Sequence, residues 1–258
     1  MLKVSELTKT YGQGAKAVHA IGGVDFEADD GQFVSIVGPS GAGKTTLLKC
    51  LCGLLKPTTG SVSVDGVPVD GPPKSMALVF QDYRASLMPW FTIARNVGLP
   101  LEGNVPAREI AQRVDEALEA VGLRDCHRMY PWQLSGGMQQ RVAIARAVAY
   151  KPRILLMDEP FASVDAQTRS DLEDLSLSIQ RATGSTFVFV THDVDEAVYL
   201  SDRVIVMSSA PSRVRDIVSI DLPRDRDQVS TKSDPRFAAY RSEILTMIRR
   251  PANLPVAP

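Results

Sequence analysis

Nine consecutive residues have the types and spacing needed to bind phosphate. They are Gly38, Pro39, Ser40, Gly41, Ala42, Gly43, Lys44, Thr45 and Thr46. The run fits the pattern G-x-x-x-x-G-K-[ST], in which glycines let backbone N–H groups point inward, the lysine reaches the β- and γ-phosphates, and the hydroxyl helps to hold Mg²⁺. This pattern predicts a site for a nucleoside triphosphate.

The residues on either side of this run support the same interpretation. Residues 33–37 predict a short buried strand, and residues 46–52 predict the start of a helix. A strand, loop and helix in that order are the setting that a phosphate loop requires. The helix N-terminus adds about half a positive charge at the same place. A Gly-rich turn that happens to contain Lys-Thr is the plainer alternative, and it does not account for both flanks.

The composition excludes several classes of protein. The chain has 258 residues, 44% of them hydrophobic, so it can bury a core. Its 29 basic and 30 acidic residues nearly cancel, which gives no support for a nucleic-acid partner. Three cysteines do not make a disulfide framework. No apolar run approaches the ~20 residues that span a bilayer, and the first residues are not a signal peptide. We expect a cytosolic chain unless a partner holds it at a membrane.

Strands alternate with helices along most of the chain. Alternating apolar and polar residues predict half-buried strands over 2–9 and 24–28, whereas continuous apolar runs predict fully buried strands. The buried runs are residues 33–37, 76–80, 154–157, 186–190 and 204–207. This order predicts an α/β fold with a largely parallel sheet.

The helical patterns suggest how the chain is divided. Residues 1–83 and 151–220 predict a nucleotide-binding α/β core, and residues 84–150 predict a mostly helical inserted subdomain. Residues 221–258 predict a C-terminal tail with one amphipathic helix and a frayed Pro-rich end.

Polar residues follow three of the buried strands. Gln81, the pair Asp158-Glu159 and His192 would converge with the phosphate loop, because open α/β sheets bind ligands at the carboxyl ends of their strands. Asp158 is then the natural Mg²⁺ partner opposite Thr45, and Glu159 would polarise a water for in-line attack on the γ-phosphate. The alternatives are a merely solvated strand end and an ordinary surface histidine.

A second Gly-rich turn follows about ninety residues later. Ser135, Gly136 and Gly137 open a predicted helix, and such a turn binds anions through free N–H groups. An ordinary serine cap is the alternative. Two phosphate-binding turns in one chain suggest a nucleotide shared between two copies. Tyr11, in a loop before the first turn, is either a surface tyrosine or a platform that stacks on adenine.

Taken together, these motifs resemble the ATP-binding subunit of an ATP-binding-cassette (ABC) transporter. Residues 38–46 match the Walker A motif, Gln81 the Q-loop and residues 134–140 the signature motif. Residues 154–158 with Glu159 match Walker B and the catalytic glutamate. The D-loop falls at residues 162–165, where Ser163 and Val164 depart mildly from the family's pattern and Asp165 is kept. His192 matches the switch histidine, and Tyr11 the aromatic that stacks on adenine.

The resemblance implies a P-loop NTPase (RecA-like) core with an antiparallel β subdomain and an inserted α-helical subdomain. It implies an ATP hydrolase that uses Mg²⁺, with Glu159, His192 and Gln81 in catalysis and with Thr45, Gln81 and Asp158 around the metal. Nucleotide contacts would come from residues 38–46, Tyr11 and, across a head-to-tail homodimer, from Ser135, Gly136, Gly137, Gln139 and Asp165.

The family also implies partners at a membrane. Paired permease subunits would contact Gln81 and the loop of residues 82–91, whose Leu-Met-Pro-Trp-Phe run predicts an exposed apolar patch. The alternative for Trp90 is a place in the core of the helical subdomain. A substrate-binding protein would take part indirectly. This chain itself would lie peripherally on the cytoplasmic face of the inner (plasma) membrane.

Within the family, the details are most similar to importers of the nitrate, sulfonate and taurine group. The similarity rests on residues 87–90, 130–131, 161 and 191–197, and on the short tail. The alternatives are the ATPase of a lipid- or lipoprotein-handling ABC system and a non-transport ABC ATPase. The compact residues 84–150 and the single cassette count against the second.

Overall fold

The computed structural model describes residues 1–249, and the Pro-rich end that was predicted to fray lies outside them. In chain order the strands are β1 (Leu2–Tyr11), β2 (Val18–Ala28), β3 (Phe33–Val37), β4 (Thr59–Val64), β5 (Val67–Pro68), β6 (Met76–Val79), β7 (Ile154–Asp158), β8 (Thr186–Val190), β9 (Arg203–Met207) and β10 (Val214–Ser219). The α-helices are α1 (Lys44–Leu51), α2 (Tyr83–Ser86), α3 (Ile93–Gly98), α4 (Ala107–Ala120), α5 (Gly136–Ala149), α6 (Ala166–Thr183), α7 (Val194–Leu200) and α8 (Pro235–Arg249).

The chain forms two compact units. The first contains Met1–Pro73 and the chain from Thr186 onward, and the second contains Lys74–Ser185. The second unit therefore includes β6, β7 and α6 as well as the helices α2 to α5. The subdomain boundaries predicted at residues 83 and 150 stay a prediction.

The first unit contains two groups of strands, one antiparallel and one mainly parallel. An antiparallel sheet has the order β2-β1-β4-β5, and its strands alternate between buried and exposed residues. In the other group β3 pairs in parallel with both β8 and β9, and β10 adds an antiparallel edge to β9. Every residue of β3 and β8 is buried, as continuous apolar runs predict for parallel strands.

The second unit combines a pair of parallel strands with helices. β6 pairs with β7 in the register Met76↔Ile154 to Val79↔Met157. α4 buries an apolar stripe that includes Val114 and Leu118 and packs on α5, which is buried along most of its length. The predicted strand over 76–80 ends one residue earlier, at Val79. None of the helices within residues 1–249 is long and apolar enough to cross a bilayer.

The sequence predicts that the loop between α2 and α3 forms one exposed apolar patch, and the structure differs from this. Leu87 is 3% exposed and belongs to the core, whereas Trp90 is 67% exposed. The core alternative for Trp90 is therefore wrong, and so is the expectation that the whole run faces solvent. The physical reason is Asn96, a residue of α3 whose side chain forms hydrogen bonds with the backbone of this loop and holds it against the core.

Asn96 is fully buried and makes four hydrogen bonds to the backbone of this loop. Its Oδ1 accepts from the Met88 N–H at 2.7 Å. Its Nδ2 donates to the carbonyls of Met88, Phe91 and Thr92 at 3.0, 3.1 and 3.1 Å. A buried polar group is costly unless it is paired, so these four bonds fix the loop and leave Trp90 outside.

We predict that Asn96→Leu lowers the free energy of unfolding by about 2–4 kcal/mol, because the loop loses its partners while its backbone groups stay in place. The measurement is urea unfolding. The matched control is Asn104→Ala, which removes an exposed side chain with a single bond of 3.3 Å to Pro100 and should change stability by less than about 0.5 kcal/mol. Equal losses in the two variants would contradict the role of Asn96.

Candidate functional site

The phosphate loop joins β3 to α1 in the first unit. Gly43 caps α1 with φ of 77°, and Gly41 has φ of 76°, so both lie in the left-handed region that favours glycine. A Cβ on Gly38 would lie 2.9 Å from the Met207 carbonyl oxygen, too close for any other residue. Backbone geometry thus requires glycine at the positions that the motif specifies, and α1 begins at Lys44, within the motif and two residues earlier than predicted.

Lys44 lies back over the loop that precedes it. Its Nζ donates to the carbonyls of Gly38 at 3.0 Å and of Pro39 at 3.1 Å, and its side chain is 6% exposed. A buried ammonium requires partners of this kind. The cation is therefore held within the loop, where it can also neutralise phosphate charge.

His192 lies at the same edge of the strands as the phosphate loop. β8 is in register with β3, with Val190 opposite Ile36, and the Thr191 N–H donates to the Ile36 carbonyl at 3.2 Å. His192 is exposed and follows directly, level with Gly38. The first unit thus brings His192 and the phosphate loop together, as their places at two strand ends predict.

Tyr11 lies beside the start of α1. Its Oη is 3.3 Å from the Thr46 Oγ1, and its side chain is 42% exposed. The Lys9 Nζ is 5.4 Å from the ring centroid, within cation–π range. An exposed aromatic ring that contacts the last residue of the phosphate loop can stack on a base. Its role stays a prediction.

In the second unit, Gln81, Asp158 and Glu159 share one edge of the β6–β7 pair. Val79 is opposite Met157, so Gln81 and Asp158 leave adjacent strands at the same end. Asp158 is 6% exposed. Glu159 has φ of 41°, a conformation that is strained for a residue other than glycine and that recurs at functional sites.

The signature turn begins α5. The Ser135 Oγ accepts from the Met138 N–H at 3.3 Å, so Ser135 caps the N-terminus of α5. The Gln139 amide donates to the carbonyls of Pro131 and Leu134 at 2.9 and 3.1 Å. Both side chains therefore stabilise the turn itself. Whether they also contact a nucleotide stays a prediction.

Tight packing links this turn to the D-loop within the second unit. A Cβ on Gly137 would lie 2.5 Å from the Thr168 Cγ2. Thr168 donates its N–H and its hydroxyl to Asp165 at 3.0 and 2.7 Å, so Asp165 caps α6. The hydrogen bonds from Thr168 lower the pKa of Asp165, so the charged form of the cap persists to more acidic pH than that of an ordinary aspartate.

Within the second unit, the Asp158 carboxylate and the Gln81 amide offer oxygen ligands of the kind that Mg²⁺ accepts. No group of three or more His, Cys, Asp or Glu side chains among residues 1–249 could hold a metal. Mg²⁺ is usually held by one or two carboxylates, water and substrate phosphates, so a single carboxylate such as Asp158 is compatible with the predicted site, which stays a prediction. The cysteines are not suitable ligands, because burial raises the pKa of Cys50 to about 11 and also raises that of Cys52.

Comparison with known proteins decides the family. Residues 21–162, more than half of the chain, match the model of the ABC transporter family. The chain belongs to the ABC transporter family. An uncharacterised ABC transporter ATP-binding protein of Methanocaldococcus jannaschii is 47% identical over 96% of this chain and 91% of its own length. An aliphatic sulfonates import ATP-binding protein of Bacillus licheniformis is 39% identical over 95% of this chain and 92% of its own length.

A solved structure agrees with this assignment. It is the dimeric post-hydrolysis state of an ATP-binding cassette bound to ADP and Pi, and it has a TM-score of 0.75 and 34% identity over 86% of this chain and all of its own. The predicted P-loop NTPase fold and the resemblance to the sulfonate importer group are both confirmed. As an ABC cassette, the chain is an ATP hydrolase.

Sequence reasoning missed an aromatic pair next to the signature turn of this ABC cassette. The Tyr130 and Trp132 rings are stacked, with centroids 6.0 Å apart and planes at 15°, and Trp132 is 71% exposed. Their i, i+2 spacing around Pro131 was the available signal. Sequence reasoning also missed Asn96, for which no local pattern exists.

We predict that Gly137→Ala destabilises the cassette by about 1–3 kcal/mol, because the added methyl group overlaps Thr168. Adding Thr168→Ser should recover most of that loss, since serine removes the methyl group and keeps the hydroxyl that bonds Asp165. Thermal unfolding of both variants and of Thr168→Ser alone tests this. A Gly137→Ala variant as stable as the parent would show that the contact is wrong. A stable double variant with impaired hydrolysis would show that Gly137 also serves the nucleotide.

Proposed function

We propose that this chain is the ATP-hydrolysing subunit of an ABC importer for small oxyanions or sulfonates of the nitrate, sulfonate and taurine type. One observation carries the proposal: a complete phosphate loop with His192 in one unit accompanies, in the other, a second Gly-rich turn that opens a helix, a type of turn suited to binding anions. The likeness to an aliphatic sulfonates import protein supports the importer class. ATPases of lipid- or lipoprotein-handling systems and non-transport ABC ATPases are the alternatives.

The proposed chemistry assigns one task to each residue. Lys44 and the loop N–H groups would bind the β- and γ-phosphates. Thr45, Asp158 and Gln81 would hold Mg²⁺, which would neutralise developing phosphate charge. Glu159 polarises the attacking water, a contribution of about 10²–10⁴ in rate. His192 contacts the γ-phosphate.

The proposed assembly is a head-to-tail homodimer that encloses two ATP molecules. The phosphate loop of one copy and the signature turn of the other would share each nucleotide. A turn that presents helix N–H groups is suited to the γ-phosphate of a second copy. The dimeric state of the solved cassette bound to ADP and Pi supports this arrangement.

The proposed membrane partner is a pair of permease subunits, with the chain bound peripherally at the cytoplasmic face. The contact would include Gln81 and the 82–91 loop, from which Trp90 projects at 67% exposure. The first test is to purify the tagged protein from gently solubilised membranes. A multi-span permease encoded with a sulfonate- or nitrate-binding protein supports the importer, whereas a lipid-carrier permease or no membrane protein contradicts it.

We predict that Glu159→Gln keeps nucleotide binding and loses hydrolysis by at least about 10²-fold, because the amide cannot take a proton from water. The trapped species should be a dimer at saturating Mg-ATP, detected by size exclusion with light scattering. Lys44→Ala is the control, which should lose tight ATP binding and stay monomeric. A monomeric Glu159→Gln variant would count against the shared-nucleotide dimer.

We predict that Trp90→Ala leaves the stability and ATP binding of the isolated protein unchanged while it weakens recovery of the permease. Truncating an exposed side chain usually changes stability by less than about 0.5 kcal/mol, but a buried tryptophan at an interface is often a hot spot. The matched control is Trp132→Ala, which removes an equally exposed indole outside the 82–91 loop. Equal permease recovery from both variants would contradict the proposed contact.

A further inference from the structure

The helix that follows His192 is held at its C-terminal end by residues from much later in the chain. The Arg226 guanidinium donates to the carbonyls of Val198 at 3.2 Å and Ser201 at 3.1 Å. The Lys232 Nζ lies 4.9 Å from the ring centroid of Tyr199. Cations at a helix C-terminus satisfy its free carbonyls and its dipole. α7 is only seven residues long, and a helix of that length requires such support.

The N-terminal end of α7 is held from α8. The Arg241 Nε lies 2.5 Å from the Asp195 Oδ1, and Asp195 is in the first turn of α7. α8 is itself firmly placed, because Phe237 is 4% exposed and Ile244 is fully buried. The C-terminal segment, residues 221–249, therefore contacts α7 at both of its ends.

A hydrogen-bond network fixes the backbone on either side of His192. The Thr191 hydroxyl accepts from the Asp193 N–H at 2.9 Å and donates to the Glu196 Oε2 at 2.5 Å. The Asp193 Oδ1 accepts from the N–H groups of Asp195 and Glu196 at 2.8 and 3.3 Å. Thr191 and Glu196 are both buried, so a shift of α7 carries the His192 backbone with it.

His192 and Arg241 also line the same cavity. Its volume is about 290 Å³, and its walls are His192, Asp193, Val194, Asp195, Arg241 and Leu245. The Arg241–Asp195 ion pair forms one wall of that space and connects it to α8.

We propose that Arg241 is a positioning residue for His192, and that through it the C-terminal segment sets the rate of ATP hydrolysis. This inference rests on the proposed role of His192 at the γ-phosphate. The ion pair contributes little to stability, because its side chains are 52% and 43% exposed. What it supplies is the placement of the first turn of α7, which begins two residues after His192.

The test is steady-state ATP hydrolysis of Arg241→Ala. We expect kcat to fall about tenfold, since a small displacement of a catalytic group has a large effect on rate, while KM, nucleotide affinity and thermal stability stay unchanged. Arg241→Lys keeps the charge and should restore part of kcat. The matched control is Arg236→Ala, which breaks an ion pair of 2.8 Å with Asp234 and a hydrogen bond of 3.1 Å to the Asp221 carbonyl, two partners that lie outside α7.

His192→Ala, alone and combined with Arg241→Ala, separates the outcomes. If Arg241 acts through His192, the double variant should be no slower than His192→Ala, because the two losses are then not additive. A fully active His192→Ala variant would contradict the proposed function of that histidine. An impaired His192→Ala beside an Arg241→Ala with normal kcat, or an Arg241→Ala that loses stability and nucleotide affinity as well as rate, would overturn the positioning role alone.

Discussion

The close approach of the phosphate loop to β9 is the constraint on which the first unit depends. Gly38 passes so near the Met207 carbonyl that a Cβ would lie 2.9 Å from its oxygen. β3 also pairs in parallel with β8, and that register sets the level at which the chain leaves β8. β3 is therefore the strand that places both the phosphate loop and His192.

The strands and helices that carry the proposed functional residues differ in how far their stability depends on contacts from elsewhere in the chain. β3, β7 and β8 are buried along their whole length and would keep their places without help from the loops. α7 has seven residues and depends on contacts from residues 221–249. Local stability varies in this way within proteins, and the parts that move during function come from the less stable end. A helix that depends on cations from a later segment, next to the histidine proposed to contact the γ-phosphate, is suited to small, repeated shifts.

Much of the fold could be predicted because its signals are local. The phosphate loop, the apolar runs of β7 and β8, and the Ser135 cap each depend on neighbours in sequence. β10 was missed because its sequence, VRDIVS, mixes charge with apolar residues. Leu87 was wrongly placed on the surface because its burial depends on Asn96, whose four bonds reach back across the loop. The Arg241–Asp195 pair joins residues 46 positions apart, a separation that no local pattern reports.

The glycines of the signature turn, Gly136 and Gly137, are required by packing, whether or not they also contact a nucleotide. A Cβ on Gly136 would lie 3.0 Å from the Tyr83 Oη, and one on Gly137 would overlap Thr168. Packing alone therefore demands small residues here, before any nucleotide is considered. Yet the Tyr83 hydroxyl is buried and has no hydrogen-bond partner among the residues that the structure describes, which is costly in a finished interior. A turn with so crowded a backbone is rigid. A preformed anion site requires such rigidity, because the N–H groups of the turn can then bind a phosphate without first having to be ordered.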